Sequence, residues 1–391
     1  MKNLQSERRY DIDWIRIMLI FSVFLFHIGM FFNSFGWHIK NEERVLWLDP
    51  VMAYLHRWRM PLLFFVSGVG TWFALGKRNI GQYMGERAKK LLIPLVFGMF
   101  VIVPPQVYME KQAQYGTFFN FIPHITEGSY PVGNFSWHHL WFVLYLFICS
   151  AAALPLIFVF RSGLKQKITN FLDAFLGIKG SILMLSVPLF IVHVWLINYF
   201  PWETHALVND WAYLSYSFLF FIYGFVLFSD KRLIEHIINQ RRINGIAALL
   251  LTIVFFIDYF HSLDPIVPET LQYFLGSILE WSIGISIIGY AGKYMNRENK
   301  LRKYLNEAIY PFYILHQTAI IVIGFYLINA NFHVGIKALV LTFSSFFVCV
   351  AVYWFLIRPF QITRVLFGMP LKNKKLKLQV SKEKPEIRIA S

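Results

Sequence analysis

The most regular feature of this 391-residue chain is a series of apolar runs about twenty residues long, separated by short polar segments. Runs of this length match a hydrocarbon core ~30 Å thick, which a helix crosses at ~1.5 Å per residue. The runs lack the alternation of apolar and polar residues that a membrane β-barrel requires. The pattern therefore predicts an all-α, polytopic bundle of about ten transmembrane helices, at 14–33, 57–76, 91–109, 138–160, 181–200, 210–228, 243–260, 270–291, 305–327 and 335–357.

Composition agrees with a membrane protein. The chain is 57% hydrophobic and only 15% charged, with 41 Phe. Its two cysteines, Cys149 and Cys349, lie inside apolar runs and provide neither a disulfide framework nor metal-ligand spacing. We predict one integral membrane domain, residues 1–365, followed by a basic cytoplasmic tail, residues 366–391.

Lysine and arginine are concentrated in alternate connections between the predicted spans, and the net charge is +15. By the positive-inside rule, this asymmetry predicts that both termini are cytoplasmic. The basic stretch 371–384 is expected to contact anionic lipid, and we do not expect nucleic acid as a partner.

The opposite connections are poor in charge and rich in Trp, Tyr and His, notably in 34–50 and 110–137. Some of these residues are typical of the aromatic belts at membrane interfaces. Others lie too far from a span for a belt. Aromatic side chains suit the apolar faces of sugar rings, so the alternative is a vestibule that faces a glycan.

The first span contains two residues that are costly in a bilayer. Arg16 and His27 are eleven positions apart, close to a whole number of helical turns, so both project from one face, roughly 16 Å apart. Taken singly, Arg16 is compatible with snorkelling at the interface, and His27 with an ordinary interhelical hydrogen bond. Their common face indicates a polar stripe that should line the protein interior.

His316 is a second histidine at depth. It lies ~17 Å into its span from Leu305, and His27 lies ~20 Å into the first span from Trp14, so the two imidazoles are predicted to meet at one level. Core packing is the alternative for His316. Glu280 is the sole carboxylate well inside a predicted span and is expected to pair with a buried cation or histidine.

Arg57 and Arg59 enter the outer end of the second span, where orientation rules do not place cations. They either bind a hydroxyl-rich or anionic acceptor, or form a rim salt bridge, for example with Glu42 or Glu43. Further along this span, Ser67, Gly68 and Gly70 are expected to allow a close helix contact.

Arg87 and Lys90 lie one turn apart at the cytoplasmic mouth of the third span. They are either orientation charges or a binding site for a phosphorylated ligand. The chain has no Walker-type loop, no dinucleotide fingerprint, no metal-spaced His/Cys cluster and no G-x-S-x-G elbow. We therefore expect no bound metal or cofactor.

Taken together, the segments RMPLLFFVSG (59–68), ERAKKLLIP (86–94), WHHLWFVLYL (137–146) and YPFYILHQ (310–317), with the Arg16–His27 spacing, resemble the family-3 membrane acyltransferases. The resemblance extends to about residue 365. Trp37–His38 and Arg59–Met60 favour the subgroup that acylates periplasmic glucans. One departure concerns the third span, where many members have Arg-x-x-Arg and this chain has Arg87-x-x-Lys90, which loses one bidentate fork.

The resemblance implies an enzyme of a bacterial inner or plasma membrane that uses acyl-CoA as co-substrate and a saccharide as acceptor. On this basis our hypothesis is that His27, Arg16 and His316 are catalytic and that Arg87 and Lys90 bind the acyl-CoA; which of His27 and His316 contacts the acyl group stays open. Arg57, Arg59, Trp37 and His38 would bind the acceptor. A saccharide or lipid-precursor transporter is the competing class, but it should show repeats with broken helices, and the sequence shows no such symmetry.

Overall fold

The computed structural model describes residues 9–261 and 268–371, and within these ranges every regular element is helical. Short 3₁₀ segments occur at Ile122–His124, His138–Leu140 and Ser181–Leu185, and π-helical turns at Gly98–Ile102 and Tyr353–Ile357. The α-helices are α1 Tyr10–Phe32, α2 Leu48–Leu75, α3 Ile80–Phe97, α4 Pro104–Glu110, α5 Gln112–Tyr115, α6 Phe118–Phe121, α7 Trp141–Ala152, α8 Leu154–Arg161, α9 Leu164–Leu176, α10 Ser186–Leu196, α11 Trp211–Leu227, α12 Lys231–Asn239, α13 Arg241–Phe260, α14 Glu269–Tyr294, α15 Lys300–Leu327, α16 Val334–Val352 and α17 Gln361–Leu366.

Eight helical stretches within the described ranges are long and apolar enough to cross a membrane. All ten predicted spans coincide with helices, which confirms the polytopic helical bundle. Two of them are short: Ser181–Leu196, and the 17-residue α11, which is bent by 110° relative to α12 and counts as a ninth span if the pair crosses as one. The side on which the termini lie stays a prediction.

Helix α1 lies inside the bundle and packs against α2, α14, α15 and α16. Its exposed residues, Met18, Phe21 and Leu25, repeat at helical spacing and form one outward stripe. At 100° per residue, Arg16 and His27 point almost directly away from that stripe. The predicted common inward face of Arg16 and His27 is therefore confirmed.

The closest helix contact joins α2 to α11. A Cβ on Gly68 would lie 1.9 Å from the carbonyl oxygen of Phe221, and one on Gly224 would lie 2.0 Å from that of Phe65. The two backbones therefore touch at positions where only glycine fits. This confirms the predicted close contact at Gly68, whereas Gly70 has ordinary space around it.

Helix α3 begins at a capping box formed by Asn79 and Gln82 and loses its regular hydrogen bonding at the π turn Gly98–Ile102. Pro104 and Pro105 follow, and because proline lacks an N–H, a new helix, α4, starts there. The break lies within a single apolar stretch, Ile80–Glu110. It turns α4 so that Gln106 reaches Gln317 and Glu110 reaches His38.

Packing continues past the predicted domain boundary at residue 365, since Phe367 and Met369 are buried. Arg364 anchors this segment: its Nη1 lies 3.1 Å from Glu307, and its Nε donates to the carbonyl oxygen of Pro370 at 2.8 Å. The rest of the predicted basic tail, from residue 372, lies outside the described residues.

Candidate active site

A cavity of about 740 Å³ opens between the C-terminal half of α1, the N-terminal half of α2 and the loops that cover them. Residues 36–38, 129–131, 135–139 and 203–208 form its walls, and α15 contributes two side chains. Histidines and aromatic residues predominate in the lining: His27, Trp37, His38, His56, Tyr130, Trp137, His138, His139, Trp141, His205 and Tyr313. The aromatic, histidine-rich vestibule expected from the sequence is this cavity.

His27 and His316 meet at the cavity. His27 Nδ1 lies 2.9 Å from His316 Nε2, and the two rings are stacked with centroids 5.1 Å apart. His316 is fully buried, and its Nδ1 lies 2.5 Å from the carbonyl oxygen of Tyr313. The predicted meeting of the two imidazoles at one level is therefore confirmed.

The hydrogen-bond partners determine which nitrogen carries each proton. A carbonyl oxygen only accepts, so His316 Nδ1 carries a hydrogen and donates it to Tyr313. In neutral His316, Nε2 then accepts, and His27 Nδ1 must be the donor. This leaves the lone pair of neutral His27 on Nε2, and His27 lines the cavity. The arrangement matches a general base that a second residue orients.

His139 adjoins this pair, and its role was missed by the sequence reasoning. Its ring lies 5.3 Å from that of His316, its Nε2 donates to the carbonyl oxygen of Ile314 at 3.0 Å, and its own carbonyl accepts the Tyr313 hydroxyl. His139 Nδ1 is buried without a hydrogen-bond partner. The paired histidines of WHHLWF were the only signal, and nothing in the local pattern distinguishes His138 from His139.

Trp37 and His38 both line the cavity, as predicted for acceptor-binding residues. The Trp37 indole stacks on the His27 ring, with centroids 5.9 Å apart. His38 Nε2 lies 3.1 Å from the Gln317 amide nitrogen, and His38 Nδ1 lies 3.2 Å from Glu110. Trp37 therefore contacts His27 directly, and His38 contacts the residue that follows His316.

His38, Glu110 and His138 form a group that could hold a metal ion, with ligand atoms within 4.8 Å of one another. A metal lies in the plane of each imidazole that binds it. The His38 and His138 rings are instead stacked, with centroids 4.4 Å apart and planes 30° apart. In addition, Tyr130 donates to Glu110 at 2.8 Å. The observed arrangement therefore fits a hydrogen-bonding cluster better than a metal centre.

Arg57 and Arg59 diverge. Side chains two positions apart on a helix point in directions that differ by 200° around the axis, and only Arg59 lines the cavity. Arg57 points to Glu280 instead, with Nη1 and Oε1 3.5 Å apart, and Tyr216 donates to the other oxygen of Glu280 at 2.5 Å. The expected pairing of Glu280 with a cation is confirmed. Its partner is Arg57, so the salt bridge suggested with Glu42 or Glu43 is replaced by one inside the bundle.

Arg59 is 3% exposed, and its guanidinium carbon lies 3.4 Å from the centre of the Phe26 ring. Its Nη2 lies 3.2 Å from His56 Nδ1, and His56 Nε2 lies 2.8 Å from Glu203. Arg59 Nε and Nη1 are buried without hydrogen-bond partners. Because an unmade hydrogen bond to a buried charge is costly, these two N–H groups are suited to a ligand.

The loop that carries Glu203 was not identified from the sequence. Glu203 and His205 both have a φ of +56°, which non-glycine residues rarely adopt. Asp210 holds the loop: its carboxylate accepts the backbone N–H groups of Thr204 at 3.1 Å and His205 at 3.0 Å, and the Tyr145 hydroxyl at 2.7 Å. An irregular loop has no periodic pattern of apolar residues, so the position of Glu203 in the cavity could be recognised only from the structure.

At the opposite end of α1, Arg16 is half-buried. Its Nη1 lies 3.7 Å from Asp13 and 3.5 Å from the side-chain oxygen of Asn306. Asp13 also pairs with Arg302, which is almost fully buried. Arg16 therefore has polar partners within the bundle, and Arg302 is a buried cation that the sequence reasoning did not identify.

Arg87 lies on α3 near Arg16. It donates to the Tyr83 hydroxyl and to Thr71 Oγ1, both at 3.0 Å. Lys90, one turn further, is exposed. A Cβ on Gly70 would lie 3.8 Å from Arg16 Nη2, and Arg87 bonds the adjacent residue Thr71, so Arg16 and Arg87 reach the same part of α2. The three predicted cations thus form one cluster, which suits a ligand with several negative charges.

Comparison with known proteins identifies the family to which the sequence belongs. A family profile described as an acyltransferase domain (family 3) matches residues 9–358. Glucans biosynthesis protein C of Escherichia coli strain K12 is 22% identical over 337 residues, covering 84% of this chain and 86% of that protein. The protein of the same name from Shigella dysenteriae serotype 1 is 22% identical over 336 residues, with the same coverage. No solved structure gives a significant match. The chain belongs to the family-3 acyltransferases, multi-pass membrane enzymes that transfer acyl groups other than aminoacyl groups.

Proposed function

We propose that this protein moves an acetyl or succinyl group from cytoplasmic acyl-CoA to a hydroxyl of an extracytoplasmic glucan, in a bacterial inner or plasma membrane. The observation that carries the proposal is the His27–His316 pair, which leaves the unprotonated Nε2 of His27 at the cavity. A base in that position removes the proton of a hydroxyl bound there.

The reaction is an exchange at the acyl carbonyl. The acceptor hydroxyl oxygen attacks the thioester carbon while His27 Nε2 takes its proton. The C–S bond then breaks, and the proton passes from His27 to the leaving sulfur. The products are the glucan ester and CoA with a free thiol. His316 touches neither substrate: both of its nitrogens are engaged, so it orients His27 and stabilises the transient imidazolium.

The donor is assigned to the opposite end of the bundle. CoA carries phosphate groups, and Arg16, Arg87 and Lys90 form a cluster of three cations there. Arg16 and His27 are roughly 16 Å apart along α1, a distance that the extended pantetheine arm of CoA can bridge. The phosphates would therefore remain at the cation cluster while the thioester reaches His27.

The acceptor class is inferred from the relatives and from the cavity. The two relatives compared above are named for glucan biosynthesis. The cavity of this chain has aromatic walls and buried polar atoms with no partner, which is the combination a saccharide requires.

The proposal is tested with purified protein in lipid nanodiscs, radiolabelled acetyl-CoA or succinyl-CoA, and a glucan fraction from bacterial envelopes. Wild-type protein should esterify the glucan with at least one donor, and His27→Gln should lower the rate by roughly 10²–10⁴-fold. His124→Gln, in an exposed outer loop, is the matched control and should keep full activity. Absence of glucan ester with both donors, or full activity of folded His27→Gln, would overturn the proposal.

A further inference from the structure

We propose that Arg59, His56 and Glu203 form a clamp for two hydroxyl groups of a neutral saccharide unit, and that Glu203 determines specificity for that unit. This inference rests on the proposed function and specifies how its acceptor is recognised. Its first support is the direction of the hydrogen bonds that link the three residues. A guanidinium only donates, so His56 Nδ1 accepts from Arg59 at 3.2 Å. Neutral His56 then carries its hydrogen on Nε2 and donates it to Glu203 Oε2 at 2.8 Å.

Arg59 and Glu203, at the two ends of this hydrogen-bonded series, have complementary polar atoms without partners. Arg59 retains two N–H donors, Nε and Nη1, and Glu203 retains the acceptor Oε1; all three are buried without hydrogen-bond partners. His205 Nε2 lies 3.4 Å from Glu203 Oε1. A hydroxyl both donates and accepts, so a pair of neighbouring hydroxyls satisfies the free donors and the free acceptor together. Arg59 and Glu203 both line the cavity.

The clamp is preorganised. Glu203 and His205 are held with positive φ, and Asp210 fixes the backbone between them through the N–H groups of Thr204 and His205. Strained backbone of this kind is concentrated at ligand sites, where the surrounding structure maintains it. The His205 ring also stacks on Trp141, with centroids 4.1 Å apart, so an aromatic wall stands beside the clamp.

The charges identify the class of saccharide. The positive charge of Arg59 is balanced by the carboxylate of Glu203, which His56 connects to it. Since Glu203 lines the cavity and its Oε1 has no hydrogen-bond partner, an acidic sugar bound beside it would meet a like charge, whereas a neutral sugar can donate a hydroxyl to it. The clamp therefore fits neutral hexose units and disfavours uronic acids.

The test measures the KM for cellohexaose and the KM for acyl-CoA separately. Glu203→Gln keeps the shape of the side chain, and its amide oxygen can keep the hydrogen bond from His56, but the acceptor for the sugar hydroxyl is then replaced by an NH2 donor. We expect its kcat/KM for cellohexaose to fall about 10- to 100-fold, with the KM for acyl-CoA unchanged. Glu127→Gln, a matched change in an exposed outer loop, should behave like wild type.

Arg59→Lys keeps the charge but removes the planar fork of donors, and should also lower kcat/KM for cellohexaose without changing the KM for acyl-CoA. It provides an independent measurement if Glu203→Gln folds poorly. As a competitor of wild-type transfer, an oligosaccharide of glucuronic acid should be at least about tenfold weaker than cellohexaose.

Equal inhibition by the two oligosaccharides, or unchanged kcat/KM for cellohexaose in the folded variants, would overturn the clamp. So would a rise confined to the KM of acyl-CoA, because that result would place Arg59 and Glu203 at the acyl group. If wild-type protein transfers no acyl group at all, the proposed function itself fails, which is a distinct result.

Discussion

His27 Nδ1 lies 2.9 Å from His316 Nε2, and His316 Nδ1 lies 2.5 Å from the carbonyl oxygen of Tyr313. This chain of contacts has one consistent direction of proton donation, which ends at the free Nε2 of His27. The two histidines are therefore not equivalent: His27 faces the substrate, and His316 positions it.

The first prediction separates these roles. His27→Gln should lower kcat by roughly 10³-fold, because the base itself is lost. His316→Leu should lower kcat by about 10²-fold without changing either KM, and His316→Gln should recover part of that loss because its amide oxygen can accept from His27 Nδ1. Steady-state kinetics on the three variants check this. A greater loss in His316→Leu than in His27→Gln would reverse the assignment.

Helical periodicity explains why part of this site was predictable. The eleven-residue spacing of Arg16 and His27 fixes their common face whatever surrounds α1, and counting residues along two spans places His316 at the level of His27. The same arithmetic separates Arg57 from Arg59 by 200°, although their adjacency in one motif suggests a shared role.

The remaining features depend on contacts that periodicity does not encode. The Glu203 clamp is built by an irregular loop whose conformation Asp210 fixes. Similarly, Arg302 is recognisable as a buried cation only once α15 brings it to Asp13, and 289 residues separate the two in sequence. Long-range pairing of this kind has no local sequence signature.

The second prediction concerns the donor. If Arg16 contacts the phosphates of CoA, Arg16→Gln should raise the KM for acyl-CoA by about 10- to 100-fold. It should leave activity with acyl-pantetheine, which lacks the nucleotide, nearly unchanged. Lys89→Gln, an exposed neighbour of Lys90, is the control and should behave like wild type. An equal loss with both donors would show that Arg16 acts on the fold or on the acyl group.

The third prediction concerns pH. Burial alone would raise the pKa of Glu203, but His56 and His205 outweigh it and hold the pKa of that carboxyl below its usual range. The carboxylate therefore contributes stability at any pH above its unfolded pKa of ~4.3, and loses it as pH falls through the lower folded pKa. The difference in Tm between wild type and Glu203→Gln should not narrow from pH ~8 to ~5, and should narrow only below ~4. A difference that already narrows between pH ~7 and ~5 would contradict the lowered pKa.

The fourth prediction concerns the α2–α11 contact. Gly68→Ala places a methyl group 1.9 Å from the Phe221 carbonyl oxygen, so the helices must separate. Overpacking of this kind costs ~1–3 kcal/mol, and the variant should show a lower Tm in nanodiscs. Gly85→Ala, on α3 with nothing within 4 Å of the added carbon, is the control and should keep or slightly raise the Tm. Equal Tm values for the two variants would contradict the close contact.

The fifth prediction distinguishes Arg57 from Arg59. Arg57 pairs with Glu280 outside the cavity, so Arg57→Gln should leave the KM for the glucan within about twofold of wild type. It should lower the Tm, because removing Arg57 leaves the buried Glu280 carboxyl without its cation. Arg59→Gln should instead raise the KM for the glucan about tenfold.

A double variant provides the decisive comparison for Arg57. Combining Arg57→Gln with Glu280→Gln removes both charges, and two amides can still hydrogen-bond to each other and to Tyr216. The double variant should therefore be more stable than Arg57→Gln alone, a non-additivity that only a direct pair produces. If Arg57→Gln instead raises the KM for the glucan at unchanged Tm, Arg57 binds the acceptor after all, and the Arg57–Glu280 pair contributes little to the fold.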